Sequence, residues 1–201
     1  MELHSFLRSR RSVRRFRPQP VETAILIRIL ETAAHAPSAH NRQPWRFAVV
    51  TNAQQKSGLA ELLAIDFQRD LAGDGLEAAE ITARLDRSKN RIIEAPVIVI
   101  LCMDMSEMDV YPDDRGERAQ AERTMAIQSV AAAGALLQLA AHAEGLSSVW
   151  ICSPLFAPLT VHNALSLQAS WEPQAMFFLG YGASAPKEKA FKPFEDIVKF
   201  L

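Results

Sequence analysis

Six of the 22 Lys and Arg residues fall within ten positions: Arg8, Arg10, Arg11, Arg14, Arg15 and Arg17, with no acid between Glu2 and Glu22. Guanidinium pairs grip phosphate oxygens bidentately, so this cluster reads as an anion site, a solvated helix end or a nucleic-acid-binding arm. Ser12, Val13 and Phe16 favour the first reading. A hydroxyl between arginines adds a donor for a phosphate, and the two apolar residues would anchor the segment to a core. A second constellation runs from Ala36 through Pro37, Ser38, Ala39, His40, Asn41, Arg42, Gln43, Pro44 and Trp45 to Phe47. Asn41 and Gln43 each offer a carboxamide, whose acceptor and donors match the edge of a heterocyclic imide such as that of a flavin. The plainer alternative is that both amides satisfy the loop's own backbone. Pro37 and Pro44 stiffen this loop, as a preformed site requires.

Other candidates carry less. His35 and His40 stand five apart, which is not one helical face, and no metal-ligand spacing is present. Asp113, Asp114 and Glu117 read as a solvated acidic loop ahead of a divalent-ion site, and Cys102 and Cys152 as small core residues. Ser153 lacks the GxSxG context of an acyl nucleophile, and Gly180-Tyr181-Gly182 lacks the third glycine of a dinucleotide fingerprint.

These residues need elements to hold them. Ile25, Leu26, Ile29, Leu30 and Ala33 recur at three-to-four spacing, which predicts a helix over residues 22–36 that Pro37 stops. Residues 46–51 read as a buried strand, and residues 54–93 as two helices broken near Gly73 and Gly75, the second largely solvated. Residues 96–103 are apolar on both faces and predict the central strand. A long helix over residues 118–143 is apolar all round at its small segment 131–135, which predicts burial and close approach of another backbone. Short strands follow at 149–152 and 174–179, with a helix at 158–167 between them, and residues 197–201 look like an exchanged strand. The order α-α-β-α-α-β-α-β-α-β gives an α+β sandwich, with helices on both faces of a mixed sheet.

At 201 residues, 49% hydrophobic and 22% charged, the chain has the composition of one globular domain, residues 1–201. Its net charge of −1 draws it to neither nucleic acid nor membrane, so both are excluded as partners on this reading. The scarcity of cysteine and the lack of an apolar stretch after Met1 lead us to expect a cytoplasmic protein.

Arg10-Arg11-Ser12-Val13-Arg14 with Phe16, followed by Ala36-Pro37-Ser38 with Asn41 and Gln43-Pro44-Trp45, resembles the flavin-binding pattern of the nitroreductase family. The closer resemblance is to the branch like the C-terminal reductase domain of the coenzyme F-420 glutamate ligase. It is carried by residues 37–46, by Tyr111-Pro112-Asp113 with residues 121–125, Gln128 and Ser129, and by Pro154-Leu155-Phe156. The similarity spans nearly the whole chain, and the paired motifs are specific where either alone is weak.

The resemblance implies a nitroreductase-like fold and an intertwined homodimer holding FMN at each of two interfaces. Arg10, Arg11 and Ser12 would hold the FMN phosphate, with Lys187 and Lys189 completing that site where the family is usually richer in arginine. Arg14 would lie near N1 and C2=O, where a fixed cation stabilises negative charge. Asn41 and Gln43 would read the pyrimidine edge, and Pro37 and Ser38 would pack on the flavin across the dimer interface. Ser153, Pro154 and Leu155 would cover the ring, with a backbone N–H offered to N5. The implied activity is reduction of an electron-poor acceptor (a nitroaromatic, quinone, flavin or deazaflavin-related compound) with electrons from NAD(P)H or another donor. The alternative class is a non-catalytic flavin- or deazaflavin-binding module. Arg69 and Asp70, beside the break at Gly73, are candidates to touch the acceptor if residues 54–93 form a lid, and are otherwise solvated.

Overall fold

Strand β2 (Val97–Asp104) is buried at all eight positions. Its apolar run leaves no face that water could take, so both of its edges and both faces are covered. In this computed structural model, which describes residues 2–112, 115–185 and 189–201, β2 pairs with β1 (Trp45–Val50) on one side. On its other side lies β4 (Trp171–Gly180), which in turn carries β3 (Ser147–Ile151). The sheet order is β1-β2-β4-β3, with β1 and β3 at the edges. The mixed sheet expected from sequence is corrected to an antiparallel one, for every one of these pairings is antiparallel. The parallel geometry is confined to an isolated bridge between Ser12 and Ser148. β4 starts three residues before its predicted position, on the far side of Pro173. That proline has no N–H for the ladder, and the register slips there, between Leu101 and Cys102 of β2.

Helices α2 (Thr23–Ala33) and α5 (Glu117–Ala143) cover one face of the sheet. The other face carries α3 (Ala53–Gly73), α4 (Ala78–Glu94) and the short α6 (Ser153–Phe156) and α7 (Pro158–Ala164). The break predicted near Gly73 is present, and α4 buries Ile92 alone, as its charge foretold. The N-terminal α1 (Leu3–Ser9) buries none of its residues.

Close approach at the small segment of α5 is real: a Cβ on Gly134 would sit 2.7 Å from Trp150 Cζ3 and 2.9 Å from Phe177 Cζ. Burial all round is not. Ile127, Ala131 and Ala135, four residues apart, share a face of α5 that one copy of the chain leaves exposed, because only the opposite face meets the sheet. Residues 197–201 pair with no strand among the described residues of their own chain, follow a single 3-10 turn (Phe194–Asp196) and are exposed. Cys102 is buried, which pushes its thiol up to about 12, but Cys152 is exposed because the chain leaves the sheet there to start α6.

At the end of β4, Arg123 donates to Glu172 at 2.9 and 2.5 Å and Gln174 adds a bond at 3.0 Å, which together hold the Glu172 carboxyl below its ordinary range. A depressed folded value gives stability that is present above the unfolded pKa, roughly 4.3, and is lost as pH falls through the folded value. Urea unfolding from pH 6 to pH 3 should therefore show falling stability, and Glu172→Gln should flatten part of that slope. An unchanged slope would assign the loss to other carboxyls.

Candidate functional site

The arginine segment is anchored, as Val13 and Phe16 suggested. Val13 is buried and donates its N–H to Ser148 O (3.0 Å), Arg17 N–H reaches Tyr181 O (2.8 Å), and Phe16 packs against the core of the α3/α7 face. Gly180 is required where Phe16 crosses β4: a Cβ there would lie 2.6 Å from Pro96 Cγ. Residues 10–17 thus run along the β3 edge of the sheet and are not a free arm.

Within that segment the arginines differ. Arg11 turns back on the end of α1, donating to Arg8 O (2.5 Å) and Arg10 O (2.9 Å), and its guanidinium stands 5.8 Å from the centre of the Phe191 ring. Lys189 Nζ approaches the same ring at 5.4 Å. Arg10 is the uncommitted one: its Nη1 is buried with no hydrogen-bond partner. It borders a cavity of about 250 Å³ lined also by Ser9, His142, Ser147 and Ser148. His142 stacks on Phe6 and shares a 2.7 Å hydrogen bond with Ser9 Oγ, and burial, then Arg10, pushes its pKa down. Such a donor lacks an acceptor, and two further cations share one ring beside it. An anion would satisfy all three. Ser12 and Arg14 are exposed beside them. Lys187, Asp113 and Asp114 lie outside the described residues.

The second constellation lies elsewhere. Trp45, which follows the Pro37 to Pro44 loop, pairs with Met103 at one end of β2, whereas Ser148 pairs with Leu179, which pairs with Val97 at the other end. Ala39 N–H donates to Ser129 Oγ of α5 (3.2 Å), while Ser9 meets His142 of the same helix. Thirteen residues of helix separate those contacts, about 20 Å. In one chain, then, Asn41 and Gln43 occupy the corner diagonally opposite the arginines.

That loop is strained, a feature no spacing revealed. His40, Asn41 and Gln43 all have positive φ (51°, 54° and 49°), a region that costs non-glycine residues about 1 kcal/mol or more each. Ser38 Oγ holds the turn by accepting from Gln43 N–H at 3.0 Å, so Ser38 shapes the loop from within. The Asn41 side chain has no partner among the described residues, and Gln43 Nε2 makes only a 3.4 Å contact to Asn41 O. Ser38→Ala should lower stability by about 0.5–1.5 kcal/mol, measured by urea unfolding. No change would mean the loop holds without it.

Ser153, Pro154 and Leu155 follow β3. Pro154 is buried, Leu155 is exposed, and the Leu155 N–H is already donated to Cys152 O at 3.0 Å. Since Pro154 has no N–H, Ser153 keeps the available one at the head of α6. From Ser148 to Ser153 is five residues, roughly 16 Å of extended chain, so β3 connects the arginine end to the Ser153 end.

Ser153 opens onto a cavity of about 410 Å³ walled by Leu63, Phe67 and Leu71 of α3, Ile151 of β3, and Phe156. Asp66 and Asp70 of α3 and Asp74 at its C-terminal cap, four residues apart, bring carboxylates to it. Asp70 is thus part of the cavity wall. Arg69 does not line the cavity: it is exposed and pairs outward with Asp66 (2.9 Å) and Asp70 (3.3 Å), being one helical step off the facing row. That removes Arg69 from the cavity wall.

The sequence profile of the Nitroreductase family matches residues 7–181. An NADH dehydrogenase of Thermus thermophilus is 31% identical over 94% of this chain and 91% of its own. Among solved structures, a BluB-like flavoprotein of Clostridium difficile superposes with a TM-score of 0.82 at 25% identity, over 100% of this chain and 99% of its own. A Desulfovibrio desulfuricans protein crystallised with FMN gives a TM-score of 0.73 at 24% identity, over 98% of this chain and 95% of its own. With the anchored arginine segment, the strained amide loop and the antiparallel sheet that separates them, this chain belongs to the nitroreductase family.

Proposed function

We propose that the protein works as an FMN-dependent oxidoreductase in which two copies of the chain complete each flavin site, reducing an electron-poor acceptor with electrons from NAD(P)H. Its family membership supports the oxidoreductase chemistry and the cofactor. The buried, partnerless Arg10 Nη1 carries the placement, because it is the donor that a phosphate dianion would satisfy. Arg10, Arg11, Ser12 and Lys189, with Lys187, would hold that phosphate, and Arg14 would stand toward the pyrimidine ring. When bound, FMN supplies the two-electron chemistry that no side chain of the protein can perform. The chain's part is to hold, orient and shield.

The second copy is inferred from the separation of the two constellations. Pro37, Ser38, Asn41 and Gln43 cannot close on the arginine end of their own sheet, but the same loop of a partner could cover it. The exposed Ile127, Ala131 and Ala135 face of α5 and the unpaired 191–201 tail, with Phe194, Ile197 and Phe200 exposed, offer the surface such a dimer would bury. The tail would then be the exchanged segment. The acceptor chemistry follows the nearer resemblance to the F-420 ligase reductase branch, which points to flavin- or deazaflavin-like rings, with nitroaromatics and quinones as surrogates. Asp70, on the cavity at Ser153, would touch that acceptor, and the protein would act in the cytoplasm.

Sedimentation of the purified protein together with its visible spectrum tests this reading. A dimer with flavin bands at about 370 and 450 nm, and sustained NAD(P)H oxidation with a quinone, is expected. A stable monomer that binds FMN fully would overturn the shared site, and flavin binding without turnover would favour a carrier module.

A further inference from the structure

The Ser153 cavity does not end at α3. Phe67 and Ser88 line both it and a neighbouring groove of about 400 Å³ between α3 and α4, whose other lining residues are Glu80, Arg84, Arg87 and Arg91. Arg84, Arg87 and Arg91 stand at i, i+3 and i+7, on one face of α4. Glu80 neutralises the first through a 2.5 Å ion pair, and Lys89, nearby, is paired with Glu61. Arg87 and Arg91 have no acidic partner among the described residues. Two adjoining compartments of opposite character result: an apolar one with carboxylates that ends at Ser153, and a cationic one with the half-exposed Phe67 ring at their junction.

We propose that this pair of compartments is the docking site of the pyridine-dinucleotide donor, with Arg87 and Arg91 as its phosphate subsite. The inference rests on the oxidoreductase reading above and adds to it where the donor lies and which way round it sits. A dinucleotide has the same division of character: phosphates in the middle and at the adenosine end, an uncharged dihydronicotinamide at the other. Guanidinium forks match the pyrophosphate oxygens, and Phe67 offers a face to a ring. The apolar walls of the Ser153 compartment, and Asp74, which has no basic partner among the described residues while Asp66 and Asp70 share Arg69, disfavour phosphate there, so the nicotinamide end is the one that enters it. Polarity and charge together fix the orientation.

The test uses the holoenzyme, with Arg87 and Arg91 both replaced by alanine, and three probes. NADH carries ring and phosphates, 1-benzyl-1,4-dihydronicotinamide carries the ring alone, and ADP-ribose carries the phosphates alone. Both arginines are on a solvated helix, so the double variant should fold. The KM for NADH should rise about tenfold or more, equivalent to roughly 1.4 kcal/mol. Flavin reduction by the benzyl donor should stay within twofold, and ADP-ribose binding, measured by calorimetry, should be lost and be salt-sensitive in the parent protein. An unchanged KM for NADH, or ADP-ribose binding that is unaltered or absent in both proteins, overturns the proposal. Equal slowing with both donors also overturns it, since it would place the effect on the cavity and not on the phosphates. If neither donor reduces the parent protein, the oxidoreductase reading fails, and the calorimetric arm still decides the phosphate subsite.

Discussion

Arg10→Ala should weaken FMN about ten- to a hundredfold and leave riboflavin nearly untouched. Only FMN carries the dianion, and a charge-assisted bond to it is worth about 1.5–3 kcal/mol. Arg10 is the residue to choose because its Nη1 is already buried and has no partner, so the desolvation cost is present before any ligand arrives. The anion offsets that cost. Arg11→Ala should lose less, since the Arg11 guanidinium is committed to the carbonyls of Arg8 and Arg10. Fluorescence titration of both flavins against both variants measures the four affinities. Equal losses for FMN and riboflavin would move Arg10 away from the phosphate. A larger loss at Arg11 would show that its backbone contacts open when the ligand binds.

The second large effect lies under α5, where Trp150 and Phe177 pack edge to face with ring centres 4.8 Å apart against Gly134. Phe177 is fully buried, and Phe177→Ala should cost about 3–5 kcal/mol through lost transfer energy and the cavity left behind. Gly134→Ala errs the other way. Its new methyl would start 2.7 Å from Trp150, so overpacking of about 1–3 kcal/mol competes with a helix-propensity gain of at most about 1 kcal/mol. The two changes should not add: with Phe177 reduced to alanine, the methyl added by Gly134→Ala has somewhere to go, and the double variant should be more stable than the sum of its parts. Urea unfolding of the four proteins measures the coupling. Strict additivity would mean that α5 can retreat from the sheet without disturbing it.

Much of this arrangement was legible in residue order. The eight-residue burial of β2 follows from an apolar run that no half-exposed strand could carry, and the two helices of 53–94 from a charge pattern interrupted by Gly73 and Gly75. The cationic character of residues 10–17 was equally readable, because arginine density and the absence of acid are properties of composition. So was the anchoring role of Val13 and Phe16, since apolar side chains amid arginines must be buried somewhere.

Tertiary structure decided the rest. Spacing could not show that Arg11 caps its own helix while Arg10 stays free, because the two are neighbours of one type and differ only in what surrounds them. It could not show the positive φ of His40, Asn41 and Gln43, since the Ser38 and Ser129 hydroxyls that hold that loop reach groups five and ninety residues away. Arg69 and Asp70 are adjacent in sequence, yet the 100° turn between helical neighbours sends one outward and the other to the cavity. Above all, the antiparallel order β1-β2-β4-β3 puts the two sequence motifs at opposite corners of the sheet. Residue order alone carries the arginine density of 10–17 and the carboxamides of Asn41 and Gln43. Because pairing between distant strands sets the distance between those side chains, only the folded chain decided that no single copy brings them together.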